Sequence, residues 1–149
     1  MPSFTQEKEL NFSAKQMYDL VMDIEKYPEF LPWCKKGEIV NRSSNNLLEA
    51  DLLINFKNIY ETYRSKVNHC QEGDDYFVDV EAISGPFQLL LNNWHFKKID
   101  YANCQIFFHV EFEFNSKILT KLIGLIFKEA SKKMVRAFED RAREVYAKN

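Results

Sequence analysis

The repeat of apolar residues changes from two to 3.6 near residue 116, and this change restricts the folds open to the chain. From about residue 36 to 114, Leu48, Ala50, Leu52, Ile54 and Phe56 alternate with Glu49, Asp51 and Asn55. Cys104, Ile106, Phe108, Val110, Phe112 and Phe114 alternate in the same way with Gln105, His109, Glu111 and Glu113. That period places one face of each strand in a core and the other in water. Further strand-like runs lie near 59–69, 76–83 and 87–98. Turn residues break the region at Asn45-Asn46, Glu72-Gly73-Asp74, Ser84-Gly85-Pro86 and from Asp100 to Asn103. Such short breaks predict antiparallel hairpins, because a parallel crossover needs a dozen or more residues.

From Ser116 to Tyr146, Leu119, Leu122, Ile123, Ile126, Phe127, Ala130, Met134, Phe138, Ala142 and Val145 form one stripe. The spacing predicts a single helix of about 30 residues and ~45 Å, interrupted at Gly124. Ahead of the strands, residues 3–10 form a first strand. Ser13 and Gln16 then fit a capping box, with Phe12 and Met17 placed as a hydrophobic staple. Met17, Leu20, Val21 and Ile24 continue that helix, Tyr27-Pro28 limits it, and a short turn or second small helix covers 26–32.

Strand, helix, short helix, about six strands and one long helix describe an α+β domain over 1–149. A curved antiparallel sheet must cover one face, and a long amphipathic helix lying across it does so. The result is a helix-grip arrangement, with the sheet wrapped around the C-terminal helix. Hydrophobic residues make up 46% of the chain, enough for a sizeable core, which excludes disorder. Thirteen Phe, seven Tyr and two Trp leave aromatic surface for a ligand. Phe108, Val110, Phe112, Phe114, Leu52, Ile54 and Phe56 are expected to line the gripped face, joined by Leu90, Trp94 and Phe96. Leu119, Leu122, Ile123 and Ile126 of the helix close it. A shell of this kind often leaves a cavity of roughly 300–1,000 Å³.

Catalytic patterns are sparse. His69, His95 and His109 fall in different strands with no metal-site spacing, so no metal is expected. Cys34 has no local base, and Glu111 and Glu113 alternate with Phe112 and Phe114 as a solvated face does. Four glycines leave no phosphate-binding loop. No catalytic residue and no catalytic cofactor are expected. Cys34, Cys70 and Cys104 are odd in number and widely spaced, which reads as free thiols in a reducing compartment. The N-terminus has neither a basic region nor an apolar run, and a cytoplasmic protein peripheral to the inner membrane is the expectation.

The net charge of −2 hides an asymmetry. Residues 116–149 carry 9 Lys and Arg against 4 Asp and Glu, whereas residues 1–115 carry 11 against 18. Lys117, Lys121, Lys128, Lys132 and Arg136 lie beside the apolar arc of the last helix and suit a transient contact with an anionic membrane surface. Tyr27, Pro28, Phe30, Pro32 and Trp33 form a proline-stiffened aromatic segment that reads either as a closed end of the core or as a portal lip.

The segments FSAKQMYDLVMDIEKYPEFLPWCKK (12–36), SGPFQLLLNNWHF (84–96) and FHVEFEFNSK…FKEASKKMVRAFEDRAREVY (108–146) are similar to those of the coenzyme-Q-binding START-like family. That family includes bacterial proteins named ribosome-association toxins and lies in the polyketide cyclase superfamily. The resemblance covers essentially the whole chain and departs from it at Asn92-Asn93, where many bacterial relatives carry small residues or glycine. It implies the same helix-grip fold and a bound ubiquinone or other isoprenoid, with Trp94 placed to offer its N–H to a quinone carbonyl. It also implies respiratory or quinone-biosynthesis complexes as partners. The family's other name implies the large ribosomal subunit instead, and the superfamily implies a cyclase-like enzyme as a third reading.

Overall fold

The computed structural model describes residues 2–56 and 58–146; the Phe56 side chain, expected on the gripped face, lies outside the described set. Seven strands form one curved antiparallel sheet: β1 (Ser3–Leu10), β2 (Cys34–Ser44), β3 (Leu47–Phe56), β4 (Ile59–Glu72), β5 (Asp75–Ser84), β6 (Phe87–Asp100) and β7 (Asn103–Phe114). Their order across the sheet is β1-β7-β6-β5-β4-β3-β2, so each strand from β2 to β6 pairs with its successor through a hairpin and β1 pairs with β7. Burial in β7 alternates residue by residue along its whole length, as the period of two requires.

Between β1 and β2 the chain crosses from one edge of the sheet to the other through α1 (Ala14–Met22) and a short 3-10 helix (Ile24–Glu29). The capping box forms. The Ser13 hydroxyl accepts from the Gln16 amide at 3.1 Å, and the Ser13 amide donates to Gln16 Oε1 at 2.9 Å. The face with Met17, Leu20 and Val21 is buried against β5, β6 and β7. Gly37 lets the 3-10 helix lie on β2, since a Cβ there would stand 2.4 Å from the Ile24 carbonyl oxygen.

The C-terminal stripe is not one helix. It divides into α2 (Lys117–Gly124) and α3 (Phe127–Tyr146), joined through Leu125 and Ile126, where the Ile126 amide bonds back to the Ile123 carbonyl at 3.0 Å. Two causes are visible. Gly124 is a weak helix former, and α2 is tied to the end of β7 by Thr120, whose Oγ1 accepts from the Phe114 amide at 2.9 Å. The buried row of α3 is Ser131, Val135, Phe138 and Ala142, while Leu122 and Val145, expected on the stripe, are exposed. Lys8 to Glu139 at 2.5 Å and the Tyr146 hydroxyl to the Gln16 carbonyl at 3.0 Å hold α3 against β1 and α1.

Candidate functional site

Cross-strand register divides the inward face of the sheet into a filled half and a hollow half. One inward row runs His69, Val78, Trp94, Phe108 and Gln6 across β4, β5, β6, β7 and β1. Its large rings close the space, with Trp94 edge-on to Phe108 at 4.6 Å and to Phe138 of α3 at 5.2 Å. The next row runs Val67, Val80, Asn92, Val110 and Phe4. Beyond it Ala50 pairs with Ser65 and Ser65 with Ala82. These short side chains do not reach the helices, and a cavity of about 220 Å³ remains beneath α2 and α3. It is smaller than the sequence suggested, because the Trp94–Phe108–Phe138 cluster takes up the rest of the interior.

Leu52, Ile54, Leu90, Trp94, Val110, Phe112, Phe114 and Ile123 line the cavity as expected. Five expected residues do not. Phe96 and Phe108 are sealed in the filled half, where Phe96 stacks on Trp94 at 5.6 Å. Leu119, Leu122 and Ile126 lie off the wall, because the break after Gly124 turns the arc of α2 away from the sheet and leaves Leu122 57% exposed. Of the aromatic segment, Tyr27 and Trp33 reach the cavity. Phe30 instead packs edge-on against Tyr27 and Phe138 beneath the Arg141 guanidinium, and Pro28 and Pro32 face outward. The packing of Phe30 fits the closed-end reading of that corner, while Tyr27 and Trp33 border the cavity.

Sequence reasoning missed Tyr63, Ser65, Asn92 and Ser131, and it set Asn55 on the watery face although Asn55 also lines the cavity, with its Oδ1 buried and without a partner among the described residues. The signal was present as hydroxyl and amide groups at inward positions of otherwise apolar faces. Tyr63 is 7% exposed and Ser131 5% exposed; both line the cavity, and neither hydroxyl has a hydrogen-bond partner among the described residues. Burial raises the Tyr63 hydroxyl well above the usual tyrosine range, so it stays protonated. Ser65 donates to the Ala50 carbonyl at 3.3 Å. The Trp94 N–H is not free for a ligand, since it donates to Asn92 Oδ1 at 3.0 Å. The same Asn92 amide donates to the His109 carbonyl at 3.1 Å. None of the described lining residues is Asp, Glu, His, Lys or Arg.

The other candidates for chemistry lie elsewhere. His69 meets the Tyr18 hydroxyl at 2.7 Å, His95 meets Asp75 at 3.0 Å, and His109 meets Thr5 at 2.7 Å. Cys34 is buried, and desolvation pushes its thiol up to about 11, which is the opposite of an activated nucleophile. Glu111 and Glu113 occupy the outward face of β7. Lys117, Lys121, Lys128 and Arg136 are exposed, and no ion pair is formed by them among the described residues. No helix among the described residues is long and apolar enough to cross a membrane.

A curved sheet gripping a C-terminal helix over an apolar cavity is the helix-grip fold, which proteins of the START superfamily share. A START superfamily protein from Mycobacterium smegmatis superimposes with a TM-score of 0.82 over 96% of this chain and 98% of its own, at 15% identity. The chain belongs to the polyketide cyclase / dehydrase and lipid transport family, whose model matches residues 10–139. It is similar to ribosome association toxin RatA of Rickettsia prowazekii, with 40% identity over 97% of this chain and 99% of that protein. It is also similar to the mitochondrial coenzyme Q-binding protein COQ10 homolog B of Xenopus laevis, with 30% identity over 97% of this chain and 59% of that protein.

Proposed function

We propose that the chain binds an isoprenoid quinone of the ubiquinone type in this cavity and carries it between a membrane and the complexes that use or make it. The apolar cavity carries the reading. An apolar cavity of ~150 Å³ accepts benzene, so about 220 Å³ suits a substituted ring. Burial of the ring and the start of the tail contributes roughly 25 cal/mol per Å² removed from water, with no bond made or broken. The rest of a long tail would leave beside α2, where Ile118, Leu122 and Leu125 are exposed next to Lys117, Lys121 and Lys128. That combination suits docking on an anionic bilayer. A relative named for coenzyme Q binding supports the same ligand.

The test is transfer of quinone from loaded vesicles to the purified protein, with mass spectrometry of the organic extract. Stoichiometric quinone is expected. Reversing Lys117, Lys121 and Lys128 to Glu should weaken binding to anionic vesicles and slow uptake, each basic residue contributing about 1 kcal/mol near such a surface. A clean extract together with no uptake would end the carrier reading.

A second reading has its own support. The relatives named ribosome association toxin match at up to 40% identity over nearly the whole chain, and the unpaired basic residues of α2 and α3 suit rRNA phosphates. In this reading the protein binds the large ribosomal subunit and blocks subunit joining. Co-sedimentation with 50S particles that the triple charge reversal abolishes would favour it, and its absence would remove it. A cyclase-like activity has less support, because the described lining offers no carboxylate or imidazole for proton transfer.

A further inference from the structure

Tyr63 and Ser131 stand on different walls of the cavity. Tyr63 projects from β4 in the sheet, and Ser131 projects from α3 in the helical layer. Each is more than nine-tenths buried, and each hydroxyl lacks a partner among the described residues. A buried hydroxyl without a hydrogen bond costs free energy comparable to a lost bond, so such groups normally find one. Around them most of the polar capacity is engaged, the exception being Asn55, whose buried Oδ1 has no partner among the described residues. Ser65 is taken by Ala50, the Tyr27 hydroxyl donates to the Val21 carbonyl, and Asn92 joins Trp94 to the His109 carbonyl. Two neutral hydroxyls on residues that line one apolar space are therefore left for an occupant, with the Asn55 amide oxygen beside them as a further acceptor.

We infer that Tyr63 and Ser131 select the ligand: a neutral ring carrying oxygens on opposite sides, as in a quinone or hydroquinone, held between sheet and helix by one hydrogen bond to each wall. The inference rests on the lipid-binding reading above and adds the polar groups that set its specificity. A hydroxyl both donates and accepts, so the pair can meet a carbonyl oxygen or a ring hydroxyl, and both redox states of such a ring fit. The described lining offers no cation, so a carboxylate or phosphate head would be buried without a charged partner there and is disfavoured. Because the two hydroxyls belong to different layers, a ring that bonds both also fastens α3 to β4.

The experiment compares three probes with the same tail: decyl-1,4-benzoquinone, decylbenzene and decanoate. Binding is measured by quenching of the tryptophan fluorescence, supported by calorimetry. The native protein is expected to bind the quinone at least tenfold more tightly than decylbenzene and to bind decanoate weakest. Tyr63→Phe and Ser131→Ala should each weaken quinone binding by about tenfold, near the upper end for one neutral hydrogen bond. Both should leave decylbenzene binding and the melting temperature close to native. If either variant loses quinone and decylbenzene equally, that residue is only structural and the inference fails. Equal affinity of the native protein for quinone and decylbenzene overturns the inference while leaving the lipid-binding reading intact. Failure of all three probes to bind overturns both. Decanoate binding as tight as the quinone overturns the discrimination against anions.

Discussion

Asn92 accepts the Trp94 indole N–H at 3.0 Å and donates to the His109 carbonyl at 3.1 Å, joining the filled half of the interior to the hollow half. Asn92 lines the cavity, while the Trp94 ring packs on Phe96, Phe108 and Phe138. One amide therefore satisfies a buried donor and turns the sheet face from large rings to small side chains.

Replacing that amide isolates its role. Asn92→Leu leaves the Trp94 N–H buried without an acceptor, and loss of one partner of a buried hydrogen bond costs about 1–3 kcal/mol. Urea denaturation should show a midpoint lowered accordingly, with an altered tryptophan emission maximum in the folded state. An unchanged midpoint would show that the contact is dispensable.

Neighbouring positions on β7 should respond in opposite ways to a change of size. Val110 borders the cavity, so Val110→Trp should extend into empty space, keep most of the melting temperature and abolish quinone uptake. Phe108 lies in the filled row at 1% exposure, and Phe108→Ala should cost about 3–5 kcal/mol. A large loss of stability in Val110→Trp, where overpacking typically costs about 1–3 kcal/mol, would mean that this part of the cavity is closed.

The break between α2 and α3 predicts an effect on exchange rate. Among the described residues, a Cβ on Gly124 would meet only the Pro2 ring at 3.5 Å, an ordinary contact. Gly124→Ala should therefore be accommodated and favour helix by about 1 kcal/mol. If α2 must swing for a ligand to pass, vesicle-to-protein transfer should slow while equilibrium affinity stays near native. An unchanged transfer rate would assign the break a purely architectural role.

Alkaline pH should expose the buried thiols. Burial pushes Cys34 up to about 11 and Cys104 up to about 12, from an ordinary value of 9.0. The folded chain holds these protons after the unfolded chain has released them. Their contribution is thus fully present below pH 9 and is lost as pH rises from there through 11–12. Each thiol lowers stability by at most ~1.4 kcal/mol per pH unit in that window. Denaturation midpoints at pH 8, 9.5 and 10.5 should fall progressively, and less steeply in a Cys34→Ala, Cys104→Ala variant. Equal slopes would assign the alkaline loss to other groups, such as the buried Tyr27 and Tyr63 hydroxyls.

The amino-acid sequence by itself determined the elements and the faces they bury, because those depend on periods of two and 3.6 residues and on turn and cap chemistry within a few positions. Ser13 and Gln16 formed the expected box, the turn clusters separated the strands, and the inward set of β7 followed from alternation alone. Three features required the tertiary structure. Register set Trp94 beside Phe108 but Asn92 beside Val110, and so decided which apolar positions fill space and which leave it open. The tie from Thr120 to Phe114, with Gly124, divided a stripe that is continuous in sequence and left Leu122 outside. Tyr63 and Ser131, 68 positions apart, came to share one cavity only when α3 was laid over the inward face of the sheet. A local period shows which side of an element is apolar, but the space between two elements depends on cross-strand and interlayer distances that no single segment encodes.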